Sequence, residues 1–275
     1  KRKTKGFAIA DDSTTALEIG DEPMQFHQKF KNVSVAVGEE RVVAIPQLLH
    51  QLPQTEVIIL DDAFQHRQVM AGLNIILTDY SNLYTRDFIL PAGDLRDVRS
   101  SSKRAQIIIV TKCNPALTVI EKEKIITEIA PSSDQAVYFT TIVYDFPFHL
   151  FTKETINITA DYGVLLVCGI ANPAPLKAHL AQQVDSYDML RYPDHHIFHS
   201  NDLNDIKQQF KKIKADKKIV LTTEKDAVRL EKFRDELQDF PVYVVPVRHE
   251  FMFNEANKFA DIVTGFVKTF KKYDS

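Results

Sequence analysis

Continuous apolar runs alternate along this chain with amphipathic helical stretches, and that alternation constrains the fold more than any other feature. The runs lie at 33–37, 57–60, 74–78, 107–111, 137–141, 163–168, 218–221 and 242–245. They read mainly as continuous apolar runs rather than alternating ones, which is the pattern of strands covered on both faces. Helical patterns fall between them at 23–30, 41–51, 119–129, 175–183, 203–214, 225–233 and 254–270. Strand–helix–strand repetition predicts parallel sheets joined by crossovers. The rhythm breaks at the aromatic stretch Tyr144-Asp-Phe-Pro-Phe-His-Leu-Phe151 and restarts at Gly163. The expected architecture is α/β: two doubly wound, Rossmann-like domains with mainly parallel sheets and a cleft between them. The expected boundaries are residues 1–145, a linker at 146–162, and 163–275.

Composition removes several classes. The eight glycines of the 275 residues fall at 6, 20, 38, 72, 93, 163, 169 and 265. No two are close enough to build a phosphate-cradling G-x-x-x-x-G-K-S/T loop or a G-x-G-x-x-G turn. Lys and Arg number 34 against 37 Asp and Glu, a net charge of −3, so no general field gathers nucleic acid. No apolar run reaches the ~18 residues of a membrane span. The two cysteines, Cys113 and Cys168, lie in or beside apolar runs and read as inert core thiols of a reducing compartment. The chain opens Lys-Arg-Lys-Thr-Lys without a Met, and the expectation is that it starts partway through a longer protein.

Six segments can carry chemistry. Val57-Ile-Ile-Leu60 runs into Asp61-Asp62, which places paired carboxylates at a strand end. Magnesium takes such hard oxygens, and so does an ordinary acidic turn. In Gly20-Asp21-Glu22-Pro23 the acids either cap the following helix or stand as a functional carboxylate. Leu90-Pro-Ala-Gly93-Asp94-Leu-Arg96-Asp97 sets a guanidinium beside a carboxylate, as a phosphate clamp or as a surface ion pair. Tyr192-Pro-Asp194-His195-His196-Ile-Phe-His199 holds three histidines, but Pro193 argues for a loop, and a general base or its partner fits better than zinc. Leu221-Thr222-Thr223-Glu224-Lys225-Asp226-Ala-Val-Arg229 reads as a helix cap or as an anion site formed by the helix start, Thr222, Thr223 and Lys225. Val167-Cys168-Gly169-Ile-Ala-Asn172-Pro173 is either a close backbone approach to a ligand or a plain strand-to-helix turn.

Together, in this order, the segments are specific. Gly-Asp-Glu-Pro, Asp-Asp-x-Phe-Gln-His, Leu-Pro-Ala-Gly-x-Leu-Arg, Cys-Gly-Ile-Ala-Asn-Pro, Pro-Asp-His-His and Leu-Thr-Thr-Glu-Lys-Asp-Ala-Val-Arg resemble the tetraacyldisaccharide 4′-kinase family of lipid A synthesis. The resemblance runs from Arg2 to Val247. Family members begin with an apolar membrane-associating segment and a phosphate loop, so this chain resembles the family without its N-terminal portion.

The resemblance implies transfer of the γ-phosphoryl group of ATP, with Mg2+, to the 4′-hydroxyl of a tetraacylated glucosamine disaccharide 1-phosphate. It implies Asp61 and Asp62 as magnesium ligands, Asp21 as the base for the hydroxyl, His195 as its partner, and Arg96 on phosphate. Asp97 stands where the family usually has Glu, and that shorter side chain weakens its case as a third metal ligand. With Asp21 and His195 in different domains, their pairing would require domain closure. The expected setting is a monomer at the anionic cytoplasmic face of the bacterial inner membrane, acting on an acylated disaccharide lipid, with no nucleic-acid partner. Two other readings compete: a two-domain glycosyltransferase using a sugar nucleotide, and a non-catalytic remnant. The 275 residues alone are expected to be inactive for want of the phosphate loop.

Overall fold

The computed structural model describes residues 4–270. Lys1, Arg2 and Lys3 of the basic opening run therefore lie outside the described residues. The strands are β1 (Ala8–Ile9), β2 (Ala36–Val37), β3 (Ile75–Asp79), β4 (Ile107–Thr111), β5 (Ala136–Tyr144), β6 (Phe148–His149), β7 (Tyr162–Cys168), β8 (Tyr187–Arg191), β9 (Lys217–Thr223), β10 (Val242–Val245) and β11 (Val247–Phe251). The helices are α1 (Ala16–Ile19), α2 (Asp21–Lys29), α3 (Arg41–Gln51), α4 (Val119–Ile129), α5 (Ala174–Leu180), α6 (Ser200–Lys212), α7 (Glu224–Leu230), α8 (Arg234–Leu237) and α9 (Ala256–Thr269). Two compact units result: Lys1–Leu48 with Tyr144–Val247, and Leu49–Val143 with Arg248–Ser275. This grouping follows contacts rather than chain order, since the first 48 residues join the unit built around β7.

In the first unit the sheet order is β6-β10-β9-β7-β8. The pairs β7–β8, β7–β9 and β9–β10 are parallel, and β6 joins antiparallel at the edge. The central strand explains why the apolar runs are continuous. Leu165 and Val167 face Phe198, Leu203, Ile206 and Leu230 on one side. Val164, Leu166 and Cys168 face Leu176, Leu180 and Val184 on the other. Both faces of β7 are thus covered by helices, and each fully buried aliphatic side chain contributes about 1.5–3 kcal/mol of transfer free energy. The chain leaves β7 for β8 on one side, then crosses to β9 on the other. That reversal opens a crevice at the carboxyl ends of β7 and β9, where folds of this kind bind ligands.

The second unit holds the sheet β11-β5-β4-β3, in which β3–β4 and β4–β5 are parallel. Ile108 and Val110 of β4 pack with Leu83, Ile125, Ile129 and Phe139, while Ile107 and Ile109 pack with Tyr138, Phe251, Phe259 and Val263. Thr118 and Glu121 close a reciprocal cap on α4.

Three expectations change. The run at 57–60 pairs with no neighbour among the described residues, and Ile59 is 88% exposed. Extended backbone becomes a strand only where a ladder partner takes its N–H and C=O groups. The run at 33–37 shortens to β2, paired antiparallel with β1. The expected linker begins as an edge strand: Phe148 and His149 pair with β10, and Leu150 is buried in the core. Phe146 alone of the three phenylalanines of that stretch is exposed. Cys113 and Cys168 are buried free thiols, and burial pushes both up to about 11, so neither is a nucleophile at neutral pH. Among the described residues no helix is long and apolar enough to cross a membrane.

Candidate active site

The first unit concentrates charge at the crevice. Gly20 ends α1 and starts α2 with φ of 99° and ψ of 161°, a conformation open in practice to glycine alone. That turn sets Asp21 in the first turn of α2, where the helix dipole favours a carboxylate. One oxygen, Asp21 Oδ2, lies 2.5 Å from Arg229 Nη2 and 3.3 Å from His195 Nδ1. Arg229 comes from α7, and His195 from the loop that leaves β8. His195 has φ of 61°, in the left-handed region, which turns the loop sharply behind Asp194.

Further partners fix this set. Arg229 Nη2 is 3.1 Å from His195 Nδ1, and Lys225 Nζ is 3.3 Å from His195 Nε2. Lys225 Nζ also donates to Asp194 Oδ1 at 3.0 Å. Behind them sits Asp226, with no exposed surface. Its Oδ2 accepts the backbone N–H of Gly169 at 2.9 Å and the hydroxyl of Thr223 at 2.8 Å, and its Oδ1 faces Arg229 Nη1 at 3.3 Å. Gly169 must lack a side chain here, because a Cβ would meet Pro193 O at 2.9 Å.

The electrostatics follow from burial and these cations. Burial pushes the Asp21 carboxyl up, but the Arg229 guanidinium outweighs it with help from His195, and Asp21 ends below the ordinary carboxylate value. Asp194 behaves likewise, burial being outweighed by Lys225. Asp21 is therefore an ionised carboxylate next to an imidazole, the arrangement of a general base with a proton-handling partner.

Asp21 and His195, expected in separate domains, lie within one compact unit and meet without closure between units. The other histidines of the cluster do structural work. His196 bonds Asp202 at 2.9 Å and stacks on Tyr192, while the His199 backbone N–H donates to Asp202 at the start of α6. Thr223 caps α7 by accepting the N–H of Asp226. Thr222 is fully buried in β9, and its hydroxyl has no partner among the described residues. Lys225 is the member of that trio beside His195. Asp226 and Arg229 stand in the Leu221–Arg229 segment without a role assigned to them from sequence. Their signal was present: opposite charges three residues apart, among Ala227, Val228 and Leu230, must pair if the helix is buried.

The second unit carries the other expected residues. Asp61 and Asp62 are exposed at the end of the unpaired 57–60 segment. Arg96 Nη2 reaches both oxygens of Asp62, at 2.9 and 3.1 Å. Asp97 accepts from Arg67 at 2.9 Å, from Arg104 at 3.3 Å and from the N–H of Val98 at 2.8 Å. Arg67 and then the Val98 N–H hold Asp97 down at about 2. The Arg104 guanidinium lies over the Phe64 ring at 4.1 Å. The donor chemistry of Asp61 and Asp62 suits magnesium, which needs only one or two carboxylates beside water and substrate phosphate. Asp97 is occupied by Arg67 and Arg104, and Asp62 is paired with Arg96. No group of three metal-ligating side chains occurs among the described residues.

Comparison with known proteins points to one family. A family model described as tetraacyldisaccharide-1-P 4'-kinase matches residues 1–268. The tetraacyldisaccharide 4'-kinase of Bacteroides thetaiotaomicron is 39% identical over 283 residues, spanning 98% of this chain and 74% of that protein. That of Phocaeicola vulgatus is 40% identical, spanning 98% and 75%. The crystal structure of apo-form LpxK from Aquifex aeolicus in complex with ATP superposes with a TM-score of 0.71 at 23% identity, covering 97% of this chain and 76% of that one, and it supports the fold. The glycosyltransferase reading is set aside, and the chain belongs to the tetraacyldisaccharide 4'-kinase family, kinases of lipid A biosynthesis with a hydroxyl acceptor.

Proposed function

We propose that this chain carries the acceptor side of ATP-dependent phosphorylation of the 4′-hydroxyl of a tetraacylated glucosamine disaccharide 1-phosphate. The observation that carries the reading is the ionised Asp21 carboxylate beside His195 at the sheet's carboxyl edge. A sugar hydroxyl is a weak nucleophile until its proton has somewhere to go. Asp21 takes that proton as the acceptor oxygen bonds to the γ-phosphorus and the bond from that phosphorus to ADP breaks. His195, donating its Nδ1–H to Asp21 Oδ2, holds the carboxylate in place for that transfer.

Asp61 and Asp62 are the residues that would hold magnesium, which neutralises phosphate charge when bound. Arg96 contacts phosphate, and Asp97 keeps Arg67 and Arg104 in place. The enzyme works as a monomer at the anionic cytoplasmic face of the inner membrane, where its acylated substrate resides. The 275 residues hold no phosphate loop of the glycine type. By themselves they are expected to turn over far below a complete kinase.

Incubation of the complete gene product with [γ-32P]ATP, magnesium and the acylated disaccharide tests the reading. A product phosphorylated at the 4′-oxygen supports it. ATP-independent substrate binding without any labelled product supports the remnant reading instead. Rapid labelling by the 275 residues alone contradicts the division of labour.

A further inference from the structure

The Asp21 carboxylate is held from a direction its own helix does not supply. Arg229 is 7% exposed and lies in α7, 208 residues away in sequence. Its two terminal nitrogens do different things. Nη1 is anchored to Asp226, which has no exposure and is itself tied to the Gly169 N–H and the Thr223 hydroxyl. Nη2 reaches Asp21 Oδ2 at 2.5 Å and His195 Nδ1 at 3.1 Å. A second pair joins the same two helices, Lys29 of α2 donating to Glu224 of α7 at 2.9 Å. Gln28 also bonds Glu231, just past the end of α7.

We propose that Arg229 is the positioning residue of the site: anchored by Asp226, it fixes Asp21 Oδ2 against His195 and leaves Oδ1 for the acceptor hydroxyl. This rests on the reading of Asp21 as the base. A guanidinium suits the task because it offers two donors in a rigid plane and stays charged. A lysine would supply the charge at one point and could not serve Asp226 and Asp21 together in the same geometry.

The groups facing Asp21 are Arg229 from α7 and His195 from the β8 loop. Lys225, Asp194 and Asp226 stand behind those two. Removing Arg229 takes away the strongest opposition to burial, which favours the protonated carboxyl.

The test is a 13C NMR titration of the Asp21 carboxyl in the 275-residue chain. Arg229→Gln is expected to raise its midpoint by about one pH unit or more, to above the ordinary Asp value. Arg229→Lys should recover part of that shift. Asp226→Asn with Arg229→Gln neutralises both partners, so it serves if the single variant fails to fold, and the same rise is expected. An Asp21 midpoint unmoved in a folded variant overturns the proposal. In the complete gene product, Arg229→Lys should lower kcat and move its acid limb upward while KM for ATP stays put. Loss of activity on Asp21→Asn tests the underlying reading separately. If Asp21→Asn is active while the NMR shift occurs, the reading fails and the positioning geometry stands.

Discussion

Asp226 Oδ2 accepts the backbone N–H of Gly169 at 2.9 Å and thereby ties the turn after β7 to the helix that follows β9. The two strands flank the point where the chain reverses direction across the sheet. One fully buried carboxylate thus holds the floor of the crevice and the guanidinium above it. Asp226→Ala would strand Arg229 without its anchor, and breaking a buried pair of this kind costs about 3–5 kcal/mol. Asp226→Asn keeps an acceptor for Gly169 and should cost less. Urea unfolding of the two variants checks the order.

Lys225 makes a prediction about His195. An ammonium can only donate, so at 3.3 Å it calls for a lone pair on Nε2. The proton of the neutral ring then sits on Nδ1 and points at Asp21. 15N shifts of the His195 ring should show the Nδ1–H tautomer in the native chain. In Lys225→Met that preference should weaken. A dominant Nε2–H form in the native chain would mean that Arg229 donates to Nδ1 instead.

Acid should destabilise both units. Asp21, Asp194 and Asp202 titrate below the ordinary value of 3.8, and Asp97 at about 2. The unfolded chain therefore binds more protons than the folded one in this range. The stability these carboxylates contribute is complete above about pH 4, and it drains away as pH falls through their folded values. Thermal midpoints recorded from pH 6 to pH 2 should drop chiefly below pH 4. Asp97→Asn should flatten that drop.

Gly93 holds the loop that carries Arg96 and Asp97. A Cβ there would lie 2.2 Å from Asp87 Oδ1 and 2.5 Å from the Phe88 carbonyl oxygen. Asp87 in turn accepts the N–H groups of Phe88 and Asp94. Gly93→Ala must push the loop apart, at a cost of about 2 kcal/mol. Calorimetry checks the loss. Arginine-to-aspartate contacts in this loop should loosen with it.

Much of this was legible in the sequence, for a physical reason. Runs such as Ile107–Thr111 and Tyr162–Cys168 are covered on both faces, so burial writes them as unbroken apolar stretches. Two edge strands, β8 and β11, do not show as apolar runs. Tyr187–Arg191 carries Asp188 and Arg191, and Val247–Phe251 carries three polar residues, because one side of each meets water. The run at 57–60 misled in the other direction, since apolar residues mark a strand only when a neighbour pairs with them. Asp21 and His195 were found through motif wording, yet nothing local says that they meet. That contact depends on α2 lying against α7, and Arg229 is visible as its guarantor only once the helices are packed.

The most direct test of the account is kcat for transfer from ATP to the 4′-hydroxyl by the complete gene product, wild type against Asp21→Asn. A loss of about 10²-fold or more is expected, with KM for ATP little changed. A kcat within twofold of wild type would contradict it.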